Sequence, residues 1–208
     1  MKLIGNYLSP FARRVAVSLN VMGLAYEMDK IMVFEKPDAV SEHNPLVRIP
    51  TLVLDDGDAL VESYAILDAL DEMAGDEKRL TPAAGMSRRK VMKFSAVAVG
   101  TMDKAQWAAY EGRHRPEDKY HQPWADHNDA QAMGGLAYLD GLAEDAGDAG
   151  WLAGGDRIGQ ADISTVVAYS FTKKVRPHLD LAGECPALTA FVERCEALDA
   201  FSSAPVPG

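Results

Sequence analysis

The feature that most restricts the fold is a change of hydrophobic period near residue 75 of a 208-residue chain. Before it, short apolar runs of strand character alternate with helical stripes; after it, the periodic segments are all helical. Lys2–Gly5 is short and apolar, as a buried strand is. Ser9-Pro10 then opens a helical pattern with Phe11, Val15, Leu19 and Met22 on one stripe, and Gly23 stops it. Residues 25–33 read as a second strand, and residues 35–42 as a short irregular helix ended by Asn44-Pro45. Residues 51–54 and Ala59–Val61 read as strands joined by the turn Asp55-Asp56-Gly57-Asp58. A helix from Ser63 places Ile66, Leu70 and Met73 on one face. The order is β-α-β-α-β-β-α.

Gly75, Pro82 and Gly85 amid charges make residues 76–86 a linker between an α/β domain, 1–75, and a helical domain, 87–208. In the second domain Val91, Phe94, Ala98 and Met102 share one helical face. Ala132, Leu136, Leu139 and Ala143 share another. Ile163, Val167, Ser170 and Phe171 form a third stripe, and Leu188, Phe191, Val192, Cys195 and Leu198 a fourth. Residues 202–208 are expected to be poorly ordered unless they dock.

Composition excludes several function classes. Hydrophobic residues make up 48% and charged residues 25%, as in a folded soluble protein. No apolar run reaches the ~18 residues of a membrane span. The opening MKLIGNYLSP is apolar only briefly and meets a proline, so no signal peptide is expected. A formal net charge of −10 repels phosphate backbones and anionic lipid, which argues against nucleic-acid and membrane partners. Two late cysteines, Cys185 and Cys195, make neither a disulfide framework nor a metal set, and point to a reducing, cytoplasmic setting. His114, His121 and His127 lack zinc-site spacing and no cysteine joins them, so no metal is expected.

Three segments of the first domain bear chemistry. In Tyr7-Leu8-Ser9-Pro10-Phe11-Ala12-Arg13-Arg14, a strand feeds a loop and a helix. Pro10 suits the first helical position, which sets Ser9 at the N-cap. Its hydroxyl can cap the helix, or donate to an anion at the positive helix end. In Arg48-Ile49-Pro50-Thr51, a proline opens an edge-like strand. A trans bond makes it an ordinary strand start; a cis bond would present the Ile49 N–H and C=O to a peptide pairing like an added strand. In Glu62-Ser63, Ser63 is either a plain N-cap or part of a seat for an α-amino acid. Glu62 would then take the ammonium, and Ser63 with the helix N-terminus the carboxylate.

The order and spacing of these segments resemble the glutathione transferase superfamily, over nearly the whole chain and most strongly over residues 1–75. The resemblance implies an α/β plus all-α fold, with a thioredoxin-like N-terminal domain followed by an all-helical C-terminal domain. Ser-Pro-Phe with a following Arg-Arg is similar to bacterial and plant members with a catalytic serine. The resemblance assigns Ser9 to the glutathione sulfur, Ile49 to the cysteinyl backbone, and Glu62 with Ser63 to the γ-glutamyl end. Lys36 is the candidate for the glycyl carboxylate, with His43 and Arg48 behind it. Asp103 is the candidate to reach the γ-glutamyl amine across a homodimer. Met102, Gln106 and Tyr110 are candidates to line a second-substrate pocket, although the pattern of Met102, Trp107 and Tyr110 also fits core packing.

The implied co-substrate is glutathione and the implied partner a hydrophobic electrophile or a peroxide, in the manner of a detoxification enzyme. No cysteine stands near Ser9, which argues against thiol–disulfide exchange, and the Ser-Ser-Cys signature of maleylacetoacetate isomerases is missing. The rival is a related binding or regulatory protein without turnover. The run Ile158-Gly159-Gln160-Ala161-Asp162-Ile163 is similar to a buried helix start in the family, with Gly159 where Ser or Thr is usual. That removes the side-chain half of the capping box while Asp162 can still reach the Gly159 N–H, and Ile158 and Ile163 stand as a staple.

Overall fold

A computed structural model describes residues 1–207. It forms two compact units, one made of residues 1–83 together with the chain from Leu198 onward, the other of Ala84–Ala197. No helix among the described residues is long and apolar enough to cross a membrane.

The first unit is a thioredoxin-like layer of four strands, in the order β2-β1-β3-β4. The strands are β1 (Lys2–Gly5), β2 (Glu27–Lys30), β3 (Thr51–Val53) and β4 (Ala59–Val61). β1 pairs in parallel with β2 and antiparallel with β3, and β3 pairs antiparallel with β4. A parallel pair needs a crossover, and α1 (Pro10–Met22) supplies it. The second helix, α2 (Pro37–Ser41), is short, and α3 (Ser63–Lys78) packs against α1. Leu3, Ile4, Val15, Leu19, Leu52, Ile66 and Leu70 are fully buried. At about 1.5–3 kcal/mol for each large apolar side chain, this core is the main source of the unit's stability. Met73, expected on the same face, is 52% exposed, because Leu67 and Asp71 complete the buried face of α3 instead.

The segment expected as a linker is packed at its centre. Gly75 breaks the regular turns of α3 with φ 71°. Asp71 then accepts from the Leu80 N–H at 2.6 Å and the Thr81 N–H at 3.2 Å, and Leu80 and Thr81 are buried. The end of the chain also docks. α9 (Asp199–Ser202) brings Phe201 and Ala204 to zero exposure, and the Arg13 Nε donates to the Ala204 carbonyl at 2.8 Å. Asn20 donates to the Ala200 carbonyl at 2.9 Å. Gly208 lies outside the described residues.

The second unit contains α4 (Gly85–His114), α5 (Gln122–Ala146), α6 (Gln160–Val175), α7 (Leu181–Glu184) and α8 (Pro186–Glu196). The expected stripes are buried: Val91, Phe94, Ala98 and Met102 on α4, and Ala132, Leu136, Leu139 and Ala143 on α5. α5 comes so close to α4 that a side chain at Gly135 would put its Cβ 2.1 Å from the Thr101 Oγ1. Ile163, Val167 and Phe171 are buried on α6, and Leu188, Phe191, Val192 and Cys195 on α8. Leu198 leaves its stripe, at 40% exposure, because α8 stops at Glu196 and Leu198 caps the next helix. Cys185 and Cys195 are free and buried, and burial pushes their thiols up to about 11 and about 12, away from reactive thiolates.

The start of α6 rests on Asp162. Its carboxylate accepts from the Gly159 N–H and the Leu152 N–H, each at 2.8 Å, while Gly159 has no side chain to answer. Ile163 is buried and Ile158 half-buried on either side. Asp162→Ala would leave two backbone donors without their acceptor, and should cost about 2–4 kcal/mol in chemical denaturation. Gly159 has φ −126°, which any residue adopts, so Gly159→Ser should gain a few tenths of a kcal/mol in the same measurement. Burial also pushes the Asp162 carboxyl up to about 6. Folding therefore takes up a proton between about pH 4 and 6, and the stability that proton provides is full below pH 4 and lost as pH rises to about 6. Asp162→Asn should flatten that part of the stability–pH curve.

Candidate functional site

Strand direction gathers the chemistry-bearing segments of the first unit. β1 and β2 run the same way, so both exit at one end of the sheet; β3 enters there and β4 leaves there. The register makes this concrete: Gly5 stands opposite Lys30, Ile4 opposite Thr51, and Thr51 opposite Val61. Ser9 follows the exit of β1, Lys36 the exit of β2 and Glu62-Ser63 the exit of β4, while Ile49 precedes the entry of β3. One end of one sheet thus carries all five.

At Ser9 the loop is organised by Asn6. Its Oδ1 accepts from the Leu8 N–H and the Ser9 N–H, both at 3.1 Å, and its Nδ2 donates to the Ile31 carbonyl at 2.9 Å. Ser9 takes extended dihedrals, φ −69° and ψ 117°, and Pro10 is the first helical residue, as expected of an N-cap. The Ser9 Oγ accepts from the Ala12 N–H at 3.4 Å, a long bond that leaves the hydroxyl proton to donate elsewhere. Gly5 lets the strand approach the helix, since a Cβ there would sit 2.9 Å from that of Ala12. The Tyr7 hydroxyl pairs with that of Tyr26 at 3.4 Å, and burial raises the Tyr26 phenol above its ordinary value.

The Ile49–Pro50 peptide bond is cis. Among the described residues the Ile49 N–H and C=O enter no hydrogen bond. The turn before it hangs on the buried Asn44, which donates to the Arg48 carbonyl at 2.8 Å and the Thr51 Oγ1 at 3.1 Å, and accepts from the Leu46 N–H at 2.9 Å. The sequence marks Asn44 only as the end of the second helix and does not single out Asn6. The signal available was an Asn two residues before backbone donors in a loop, the pattern of an Asx turn.

Glu62, not Ser63, is the N-cap of α3, and Ser63 is its first residue and buried. Glu62 has φ 65°, a left-handed conformation that costs a non-glycine residue roughly 1–2 kcal/mol. Its carboxylate is met by Arg48 at 2.9 Å, with both side chains about half exposed, so the pair adds little to stability. Beneath α3 the fully buried Arg14 stacks its guanidinium 4.6 Å from the centre of the Tyr64 ring, and desolvation pulls it down to about 10. It stays charged at neutral pH.

Lys36 caps α2 and is exposed, as is His43. In the helical unit Asp103 is exposed, Gln106 and Tyr110 are half-buried, and Met102 has no exposed surface to offer a ligand. A cavity of about 630 Å³ opens where α4 ends and α5 begins. Trp107, Tyr110, Glu111, His114, Arg115, Pro116 and Trp124 line it, so Tyr110 is the one member of the expected trio that does. No group of acidic, histidine or cysteine side chains able to hold a metal occurs among the described residues.

Comparison with known proteins places the chain. The glutathione S-transferase N-terminal domain family matches residues 3–78. An uncharacterised GST-like protein of Escherichia coli is 30% identical over 103 residues, which is half of this chain and half of that protein. A maleylacetoacetate isomerase of Rhizobium meliloti is 30% identical over 203 residues, covering 92% of this chain and 89% of the relative. The crystal structure of a glutathione S-transferase of Methylobacterium radiotolerans in complex with glutathione sulfonate is 29% identical, with a TM-score of 0.88 over 99% of this chain and 94% of its own. The sheet, its helices and these relatives together show that the chain belongs to the glutathione S-transferase family.

Proposed function

We propose that this protein is a glutathione transferase of the serine type, in which the Ser9 hydroxyl donates a hydrogen bond to the glutathione sulfur and holds it as a thiolate. The observation that carries the reading is the state of Ser9: a helix cap whose hydroxyl accepts a long bond from Ala12 and keeps its own proton for a ligand. Glutathione bound to the Methylobacterium relative as its sulfonate supports the ligand class.

The remaining assignments follow the end of the sheet. The Ile49 N–H and C=O pair with the cysteinyl backbone of glutathione. Glu62 takes the γ-glutamyl ammonium, and Ser63 with the open N–H groups of α3 takes its carboxylate. Lys36 meets the glycyl carboxylate. Asp103 reaches the γ-glutamyl amine from the partner in a homodimer, whose existence light scattering at micromolar concentration would test. The electrophile is a hydrophobic small molecule, with conjugation as the reaction and a cytoplasmic detoxification role as its setting.

The energetics are sufficient. A free thiol titrates near ~8.5, and lowering it to ~6.5 stabilises the anion by about 2.7 kcal/mol. A hydrogen bond to a charged acceptor supplies roughly 1.5–3 kcal/mol, and the N-terminus of α1 about 0.3–1. The thiolate then attacks an electrophilic carbon; its lone pair forms the C–S bond, and the electrons of the bond that breaks leave with the displaced group or, in an addition, move onto the adjoining atom of the adduct, which takes up a proton. Ser9 moves no proton in this step. It stabilises the charge before attack.

Ser9→Ala should keep glutathione affinity within about threefold and return the bound thiol towards ~8.5, followed by the ultraviolet absorbance of the thiolate against pH. An unchanged titration would sink the assignment. Asn6→Ala frees the Leu8 N–H and the Ile31 carbonyl, leaves the Ser9 N–H only the backbone carbonyl of residue 6 at 3.2 Å, and should cost about 1–3 kcal/mol of stability. Part of the same upward shift of the thiol should accompany it, because Ser9 loses its anchor. Glu62→Gln should weaken glutathione by about tenfold in calorimetric titration, while ophthalmic acid, its thiol-free analogue, should lose as much.

A further inference from the structure

Among the described residues, two that are not glycine have positive φ: Val47 at 50° and Glu62 at 65°. Both lie at the end of the sheet that carries the candidate site. One ion pair links the two turns, since Arg48, the residue after Val47, meets the Glu62 carboxylate at 2.9 Å. For a side chain branched at Cβ the left-handed region is an outlier, because the branch crowds the backbone. Such strain persists only where the surroundings over-determine it, and it gathers at ligand clamps.

The surroundings of Val47 do over-determine it. Its N–H donates to the Asn44 carbonyl at 2.9 Å, which closes the turn. On the other side, the Arg48 carbonyl accepts from the Asn44 Nδ2 at 2.8 Å and from the Thr51 hydroxyl at 3.1 Å. The half-buried isopropyl group packs against the core cluster of Ile4, Ile31 and Val40. The turn is thus fastened on both sides of Val47 and from beneath it. Two residues on, the Ile49 N–H and C=O are left open among the described residues. A glycine at 47 would reach the same φ without strain, but it would also let the turn sample other conformations.

We infer that Val47 is a positioning residue for the glutathione peptide: its pinned left-handed turn holds the Ile49 N–H and C=O ready to pair with the cysteinyl backbone before the ligand arrives. This inference rests on the transferase reading, which supplies the ligand. A turn ordered in advance raises affinity because the ordering cost is not met in the binding step. The effect falls on the binding of the peptide and not on the charge of its sulfur, which is the task of Ser9.

The test compares Val47→Gly, which removes the strain and the packing, with Val47→Thr, which keeps the branched Cβ. The probe is S-methylglutathione, which has no free thiol, in calorimetric titration of the full chain. Val47→Gly should bind it about tenfold more weakly, and Val47→Thr should stay within about threefold of the unaltered protein. Saturated with glutathione, Val47→Gly should keep the thiolate titration of the unaltered protein. Equal affinity of Val47→Gly and the unaltered protein would overturn the inference and leave the transferase reading standing. So would a loss in Val47→Thr as large as that in Val47→Gly, or a shifted thiolate titration. A Val47→Gly chain that no longer unfolds cooperatively would also overturn it, by assigning Val47 to the fold instead of the site. Failure of the unaltered protein to bind S-methylglutathione would overturn the transferase reading, and this inference with it.

Discussion

Everything in the first unit hangs on β1 pairing in two senses at once. Its parallel partner β2 requires the crossover through α1, and its antiparallel partner β3 brings the chain back with its start beside the end of β1. Four residues of strand are thereby enough to direct three separate exits and one entry to the same end of the sheet. The close packing of Gly5 on Ala12 keeps the crossover tight, so that the first turn of α1 stands directly beyond the strand that feeds it. A helix N-terminus, two loops and a second helix N-terminus meet there because of strand direction, before any side chain is considered.

Charge is distributed against the grain of the composition. A chain of net charge −10 buries two arginines side by side in α1. Arg13 is held by the carbonyl of Ala204 and lies 5.9 Å from the centre of the Phe201 ring, which ties the returning end of the chain to the helix. Arg14 lies against Tyr64 at the head of α3, and its Nε and Nη1 have no hydrogen-bond partner among the described residues. Two buried cations in α1, together with the positive N-terminal end of α3, set positive charge inside a protein whose net charge is negative.

Local chemistry made much of this legible. Pro10 after Ser9 specifies a helix start wherever the chain goes, and the stripes Val91–Phe94–Ala98–Met102 and Ala132–Leu136–Leu139–Ala143 specify buried faces by spacing alone. Where a stripe ran into an element boundary, spacing misled: Leu198 follows the end of α8, and Met73 gives way to the neighbouring Leu67 and Asp71. The segment after Gly75 had the composition of a linker, but the carboxylate of Asp71, several residues back, pins it. Asn6 and Asn44 carry little signal in a sequence because an asparagine in a loop is ordinary. Their importance comes from the three groups that each holds at once.

Ser9 shows where the division falls. The sequence by itself determined that Ser9 caps a helix, that a proline opens β3 and that an acid precedes Ser63 at the head of α3, because caps, prolines and helix starts are decided within a few residues. It did not determine that these three segments, with Lys36, belong to one end of one sheet; that follows from pairing between strands that are far apart in the chain. Nor did it determine which aromatic side chains of α4 stay in the core and which face a cavity. Met102 and Tyr110 lie on one helix, against which α5 and α6 pack; Met102 is fully buried, while Tyr110 lines the cavity beside the turn to α5. Burial is a property of neighbours, and only the tertiary structure supplies them.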